Sequence, residues 1–88
     1  MRKVGDRVGA IQSADEEEVF FYGYGIYQGE EIPPKGEVRF FGVDLHEAGM
    51  ANPKILLDNG NVVWGAQCWW GSEKRTKETI GNRKIIMV

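Results

Sequence analysis

Histidine and cysteine each occur once in these 88 residues, as His46 and Cys68. A single cysteine excludes an intramolecular disulfide. One histidine and one cysteine cannot build a His/Cys zinc cluster within one chain. No stretch approaches the roughly 18 consecutive apolar residues of a membrane-spanning helix. The opening, Met1-Arg2-Lys3-Val4-Gly5-Asp6, lacks the apolar region of a signal peptide. The expected setting is therefore a reducing cytoplasm, away from any membrane.

Catalytic patterns are equally scarce. His46-Glu47 has no second histidine to complete a metalloprotease helix. Ser13 and Ser72 stand in no nucleophile-elbow context. Gly23-x-Gly25-x-x-x-Gly29 has the wrong spacing for a dinucleotide fingerprint and lies within a strand pattern, not at a helix start. No Walker-type phosphate loop is present. His46 with Asp44 and Glu47 could in principle serve acid–base chemistry, or His46 could be a solvated loop residue. The chain reads as a non-enzyme that needs neither cofactor nor metal.

What is present is aromatic and polarised. A chain this short forms one domain with a thin core, burying about 60–65% of its unfolded surface. Four Phe, three Tyr and three Trp help anchor such a core, since each buries roughly 150–250 Å². Association with further copies is another route to buried area, and a homo-oligomer is expected. Net charge is −2, but residues 1–50 carry −5 and residues 51–88 carry +3. Such polarity could steer an anionic ligand toward the C-terminal half, or simply reflect two solvated faces.

Apolar patterning predicts short strands. Asp6–Ile11 reads as a first strand, residues 14–18 as an acidic turn, and Val19–Gln28 as a second, longer strand rich in β-branched and aromatic residues. Alternation puts Phe20, Tyr22, Tyr24 and Ile26 on one face of that strand. Val19, Phe21, Gly23, Gly25 and Tyr27 occupy the other. Two glycines on one face suggest a bend, close packing of another group on bare backbone, or a ligand groove. Residues 29–36, with Pro33-Pro34, form a loop, and Val38–Val43 a short strand. Residues 44–52 form an irregular loop or one helical turn, ended by Asn52-Pro53.

Asn59-Gly60 between two apolar runs predicts a two-residue type I′ hairpin turn. That turn would pair Leu57 with Val62, Leu56 with Val63 and Ile55 with Trp64. One face then holds Ile55, Leu57, Val62, Trp64, Ala66, Cys68 and Trp70 as core, and Trp69 points outward. Ser72 is the N-cap of a short helix over residues 73–80, stopped by Gly81-Asn82. Residues 83–88 form a last strand. The expected architecture is mainly β: a small, partly closed SH3-like barrel of about five strands, with one short helix before the last.

Trp69-Trp70 followed by Lys74, Arg75 and Lys77 places aromatic faces beside cations. A stacked base is worth about 1–3 kcal/mol, and cationic side chains bind phosphate oxygens. The same tryptophans could instead be core packing or oligomer anchors. The candidate ligand-binding residues are Trp69, Trp70, Tyr24, Tyr27, Lys54, Lys74 and Arg75.

Three segments carry a resemblance: Gly23-Tyr24-Gly25-Ile26-Tyr27, residues 52–60 (NPKILLDNG) and residues 63–71 (VWGAQCWWG). Together they resemble a group of small uncharacterised proteins from bacteria and tailed phages, over about the middle half of the chain. That resemblance implies no specific activity. In class, though not in motif, the chain is also similar to phage sponge proteins that sequester nucleotide immune signals. The expected function is thus non-catalytic binding of an anionic, nucleotide-type small molecule. An SH3-like adaptor for a peptide or protein is the alternative. Nucleic acid is a disfavoured partner at net charge −2, because phosphate neutralisation dominates that affinity.

Overall fold

The computed structural model describes residues 2–88. In chain order the elements are β1 (Arg7–Ala14), β2 (Glu18–Glu31), β3 (Arg39–Phe40), β4 (Val43–Asp44), α1 (Leu45–Ala48), β5 (Asn52–Leu57) and β6 (Val62–Trp64). A 3-10 turn (Gly65–Gln67), β7 (Trp69–Ser72), α2 (Glu73–Ile80) and β8 (Lys84–Met87) complete the chain. The domain is mainly β, with eight strands where about five were expected. The 38–43 segment is split into a β3–β4 hairpin, and the 3-10 turn interrupts the run expected to be continuous from β6 to β7.

Six strands form one sheet in the order β6-β5-β2-β1-β7, with β8 parallel to the first residues of β2 and every other pairing antiparallel. The outer strands β6 and β7 do not pair with each other, so the sheet is not closed into a barrel. They are nevertheless joined by only residues 65–68. Trp64 and Trp69 are five residue steps apart, at most about 18 Å if fully extended. A 3-10 turn, rising about 2 Å per residue, keeps them well short of that, whereas five flat strands would span about 19 Å. The sheet must therefore curl, and the 3-10 turn bridges its two edges.

β2 is long enough to serve two cores because of a bulge. Ala10 faces Gly23 and Ile11 faces Phe21, so β2 spends one extra residue, Tyr22, at that point. The extra residue reverses which face the odd positions occupy. Val19 and Phe21 pack with Ile11 and Ile80, beneath α2. Tyr27 packs with Val8, Ala10, Ile55, Leu57 and Val63 on the other face. Gly25 meets close packing: a Cβ there would lie 2.7 Å from the Leu57 Cα and still nearer the Leu56 carbonyl oxygen. Of the readings open for the glycine-rich face, backbone packing is the one realised at Gly25.

The β5–β6 register differs from the expected one. Ile55 pairs with Val63, and Lys54 with Trp64. The loop has three residues, Asp58-Asn59-Gly60: the Gly60 N–H donates to the Leu57 carbonyl at 2.9 Å, and the Leu57 N–H to the Asn61 carbonyl at 2.8 Å. A type I′ turn needs positive φ at both central residues, but here Gly60 has φ +90° and Asn59 does not take positive φ. The Asn59 side chain instead accepts the Asn61 N–H at 2.9 Å. One residue of slip moves Val62 and Trp64 off the predicted core face. Val62 is exposed, whereas Trp64 is buried in a separate cluster with Val38 and Leu45.

Candidate functional site

β7 pairs with β1 so that Ile11 faces Trp69 and Ala10 faces Trp70. Strand alternation sends the two adjacent indoles to opposite faces. Trp70 is half-buried against the main core and stacks on Tyr27, with ring centroids 5.3 Å apart and planes 16° from parallel. The Arg2 guanidinium lies 5.6 Å from the Trp70 ring. Trp69 takes the α2 side of the edge strand and remains 74% exposed. The outward orientation expected for Trp69 holds, but pairing with β1 sets it, since the β5–β6 register does not carry through the 3-10 turn.

α2 begins directly after β7, so its first turn is fixed relative to Trp69. The Ser72 hydroxyl accepts the Arg75 N–H at 3.1 Å, which caps the helix. Thr76 and Ile80 are its buried positions, and Thr76 sits over Gly9, where any Cβ would collide with it. That contact holds the helix close against β1. Arg75 and Thr79, four residues apart, then stand on one side of α2 facing Trp69. Trp69, Arg75, Thr79, Thr76 and Ile11 line a cleft of about 140 Å³ between β7 and α2. Arg75 makes no ion pair among the described residues.

The structure brings together Trp69, Arg75 and part of Trp70, and disperses the other candidate residues. Lys74 is exposed and does not line the cleft. Tyr27 is buried, and its hydroxyl donates to Glu30 at 2.7 Å. That hydrogen bond, with burial, raises the phenol above its ordinary pKa. Lys54 lies 3.5 Å from Glu31 and 6.0 Å from the Trp64 ring, within a different cavity. Tyr24 is packed edge-on against Phe21 at 4.8 Å and has the Lys77 ammonium 5.6 Å from its ring. Thr79 and Ile11 were missed in the sequence. The i, i+4 spacing from Arg75 was the available signal for Thr79, and nothing local pointed to Ile11.

The remaining reactive groups have structural duties. Burial pushes the Cys68 thiol up to about 11, so little thiolate forms near neutrality. The His46 Nδ1 lies 3.0 Å from the Pro33 carbonyl, which it can only donate to. The Asp44 carboxylate accepts N–H groups from Gly36 and His46, both at 2.9 Å. These three contacts knit residues 33–46 into a loop scaffold. Comparison with known proteins returns no matching family model, curated protein or solved structure.

Proposed function

We propose that this chain is a non-catalytic binding protein that holds a planar, anionic ligand of nucleotide type at the β7–α2 cleft. One observation carries the reading: an indole 74% open to solvent lines the same cleft as an arginine that has no ion pair among the described residues. The base stacks on Trp69, and the Arg75 guanidinium, with its fixed fork of donors, takes phosphate oxygens. The Thr79 hydroxyl is a further polar group at the rim. At about 140 Å³ the cleft is smaller than the roughly 300–1,000 Å³ of sites that enclose a ligand. The ligand therefore lies across the surface with one edge in the cleft. A protein of this kind acts by sequestration, in the manner of a sponge.

Thermal shift and indole fluorescence against a panel of linear and cyclic nucleotides test the proposal. At least one nucleotide is expected to raise the melting temperature and quench Trp69. Trp69→Ala and Arg75→Ala should each weaken that binding about tenfold or more, because a stacked base is worth ~1–3 kcal/mol and ~1.4 kcal/mol is one decade of affinity. Lys74→Ala should bind as the parent does. Absence of any response at millimolar nucleotide would remove the proposal.

A second reading, an adaptor for an extended peptide, draws on the position of β7 at the end of the sheet order. Its outer edge could accept an added strand beside Trp69. A specific protein partner lost on Trp69→Ala, with no nucleotide response, would favour it.

A further inference from the structure

The β3–β4 hairpin carries a cost that the isolated chain does not recover. Phe40 pairs with Val43, leaving Phe41-Gly42 as a two-residue turn with φ of +51° and +78°. Both central residues of a type I′ turn need positive φ, and Gly, Asn or Asp meet that need best. A bulky side chain there is an outlier. Phe41 is the only non-glycine residue with positive φ among the described residues. It is also 92% exposed, touching little beyond Phe40, whose ring lies 4.5 Å away edge-on. Backbone strain and a solvated phenyl ring thus coincide at one position.

A cleft of about 360 Å³ lies immediately beside this hairpin, walled by Phe40, Leu45, Met50, Pro53, Ala66 and Trp70. A projecting ring and an apolar hollow therefore sit side by side on one surface. That is the arrangement a twofold interface requires, because each copy must present both the knob and the hole. We infer that Phe41 inserts into this cleft on a second copy of the chain, while its partner's Phe41 does the reverse. The surface is near the size needed. Phe40, Phe41, Val43 and Met50 are 51%, 92%, 48% and 53% exposed. With an aromatic side chain burying up to about 150–250 Å² and the smaller Val43 and Met50 somewhat less, they offer roughly 400 Å² per copy. Adding the cleft walls not already counted, chiefly Pro53, Ala66 and Trp70, brings two copies to about 1,000 Å², the lower bound of specific interfaces. The dimer is thus reversible and concentration-dependent.

This inference is independent of the β7–α2 cleft, which uses other residues. Sedimentation across a concentration series of the full chain tests it. The parent is expected to pass from monomer to dimer, and Phe41→Asn to stay monomeric while melting at a higher temperature, because asparagine tolerates positive φ. Met50→Asp places a charge at the cleft mouth, at an exposed position that does not threaten folding, and should also stay monomeric. A parent that is monomeric throughout, or a dimer that survives both substitutions, would overturn the inference. A Phe41→Asn variant that loses stability as a monomer would also count against it, since the ring would then be supporting its own chain.

Discussion

At Gly25 the β2 and β5 backbones lie too close to admit a side chain, and its absence is what lets them meet. Gly25→Ala would push a methyl group into the backbone of Leu56 and Leu57. Backbone in a paired strand cannot swing aside as a flexible side chain can. The expected loss is about 2–3 kcal/mol, in the range of overpacked cores, read as a lower urea midpoint with an unchanged slope. Gly60→Ala is a different case, because no atom lies within 4 Å and only its φ of +90° resists the change. Alternation in the sequence was enough to notice that two glycines share a side of β2. Which backbone Gly25 admits depends on residues about 30 positions later in the chain.

At the scale of elements, α2 is held by few contacts. Its limits were legible, because Ser72 and Gly81-Asn82 are local signals that work through backbone donors and acceptors close by. It buries only Thr76 and Ile80, so its cap carries an unusual share of its stability. Ser72→Ala should cost about 1 kcal/mol, measurable as a lower melting temperature. Loosening the first turn also frees Arg75, so the same variant should bind nucleotide more weakly than its stability change alone explains. The β5–β6 hairpin shows the limit of local reading. Asn-Gly correctly marks the turn, yet both two-residue and three-residue loops accommodate that pair. The choice depends on Ile55, Leu57 and Val63 together meeting Val8 and Ala10, a requirement absent from the turn itself. The β2 bulge was invisible for the same reason: the odd positions look like one continuous apolar face until β1 and α2 divide them.

Across the whole molecule, charge is arranged so that acid should unfold it. Asp15 is held below the ordinary carboxylate pKa by the N–H groups of Glu17 and Glu18. Burial works to raise Asp44, but the N–H groups of Gly36 and His46 outweigh it and the net shift is downward. The Arg7 guanidinium lowers Asp58 through a two-pronged contact at 2.6 and 2.8 Å. Each folded-state value lies below its unfolded counterpart, so the unfolded chain binds more protons as pH falls. The stabilisation is complete above the unfolded carboxylate range, near pH 4, and is lost as pH drops through the folded values. Circular dichroism melts from neutral to acid pH should show a falling midpoint below about pH 4–5. Asp58→Asn should flatten part of that fall.

The sequence by itself determined the β class, the strand–helix–strand ending, the capped limits of α2 and the neighbourhood of Trp69 and Arg75. All of these rest on periodicity and on backbone groups satisfied within a few residues. Only the tertiary structure decided that the sheet curls without its edge strands bonding, that Trp64 leaves the main core, and that Tyr24, Tyr27 and Lys54 are kept away from the cleft. Those outcomes depend on which distant surfaces meet, and a single added residue in a strand or turn is enough to turn every following side chain to the opposite face.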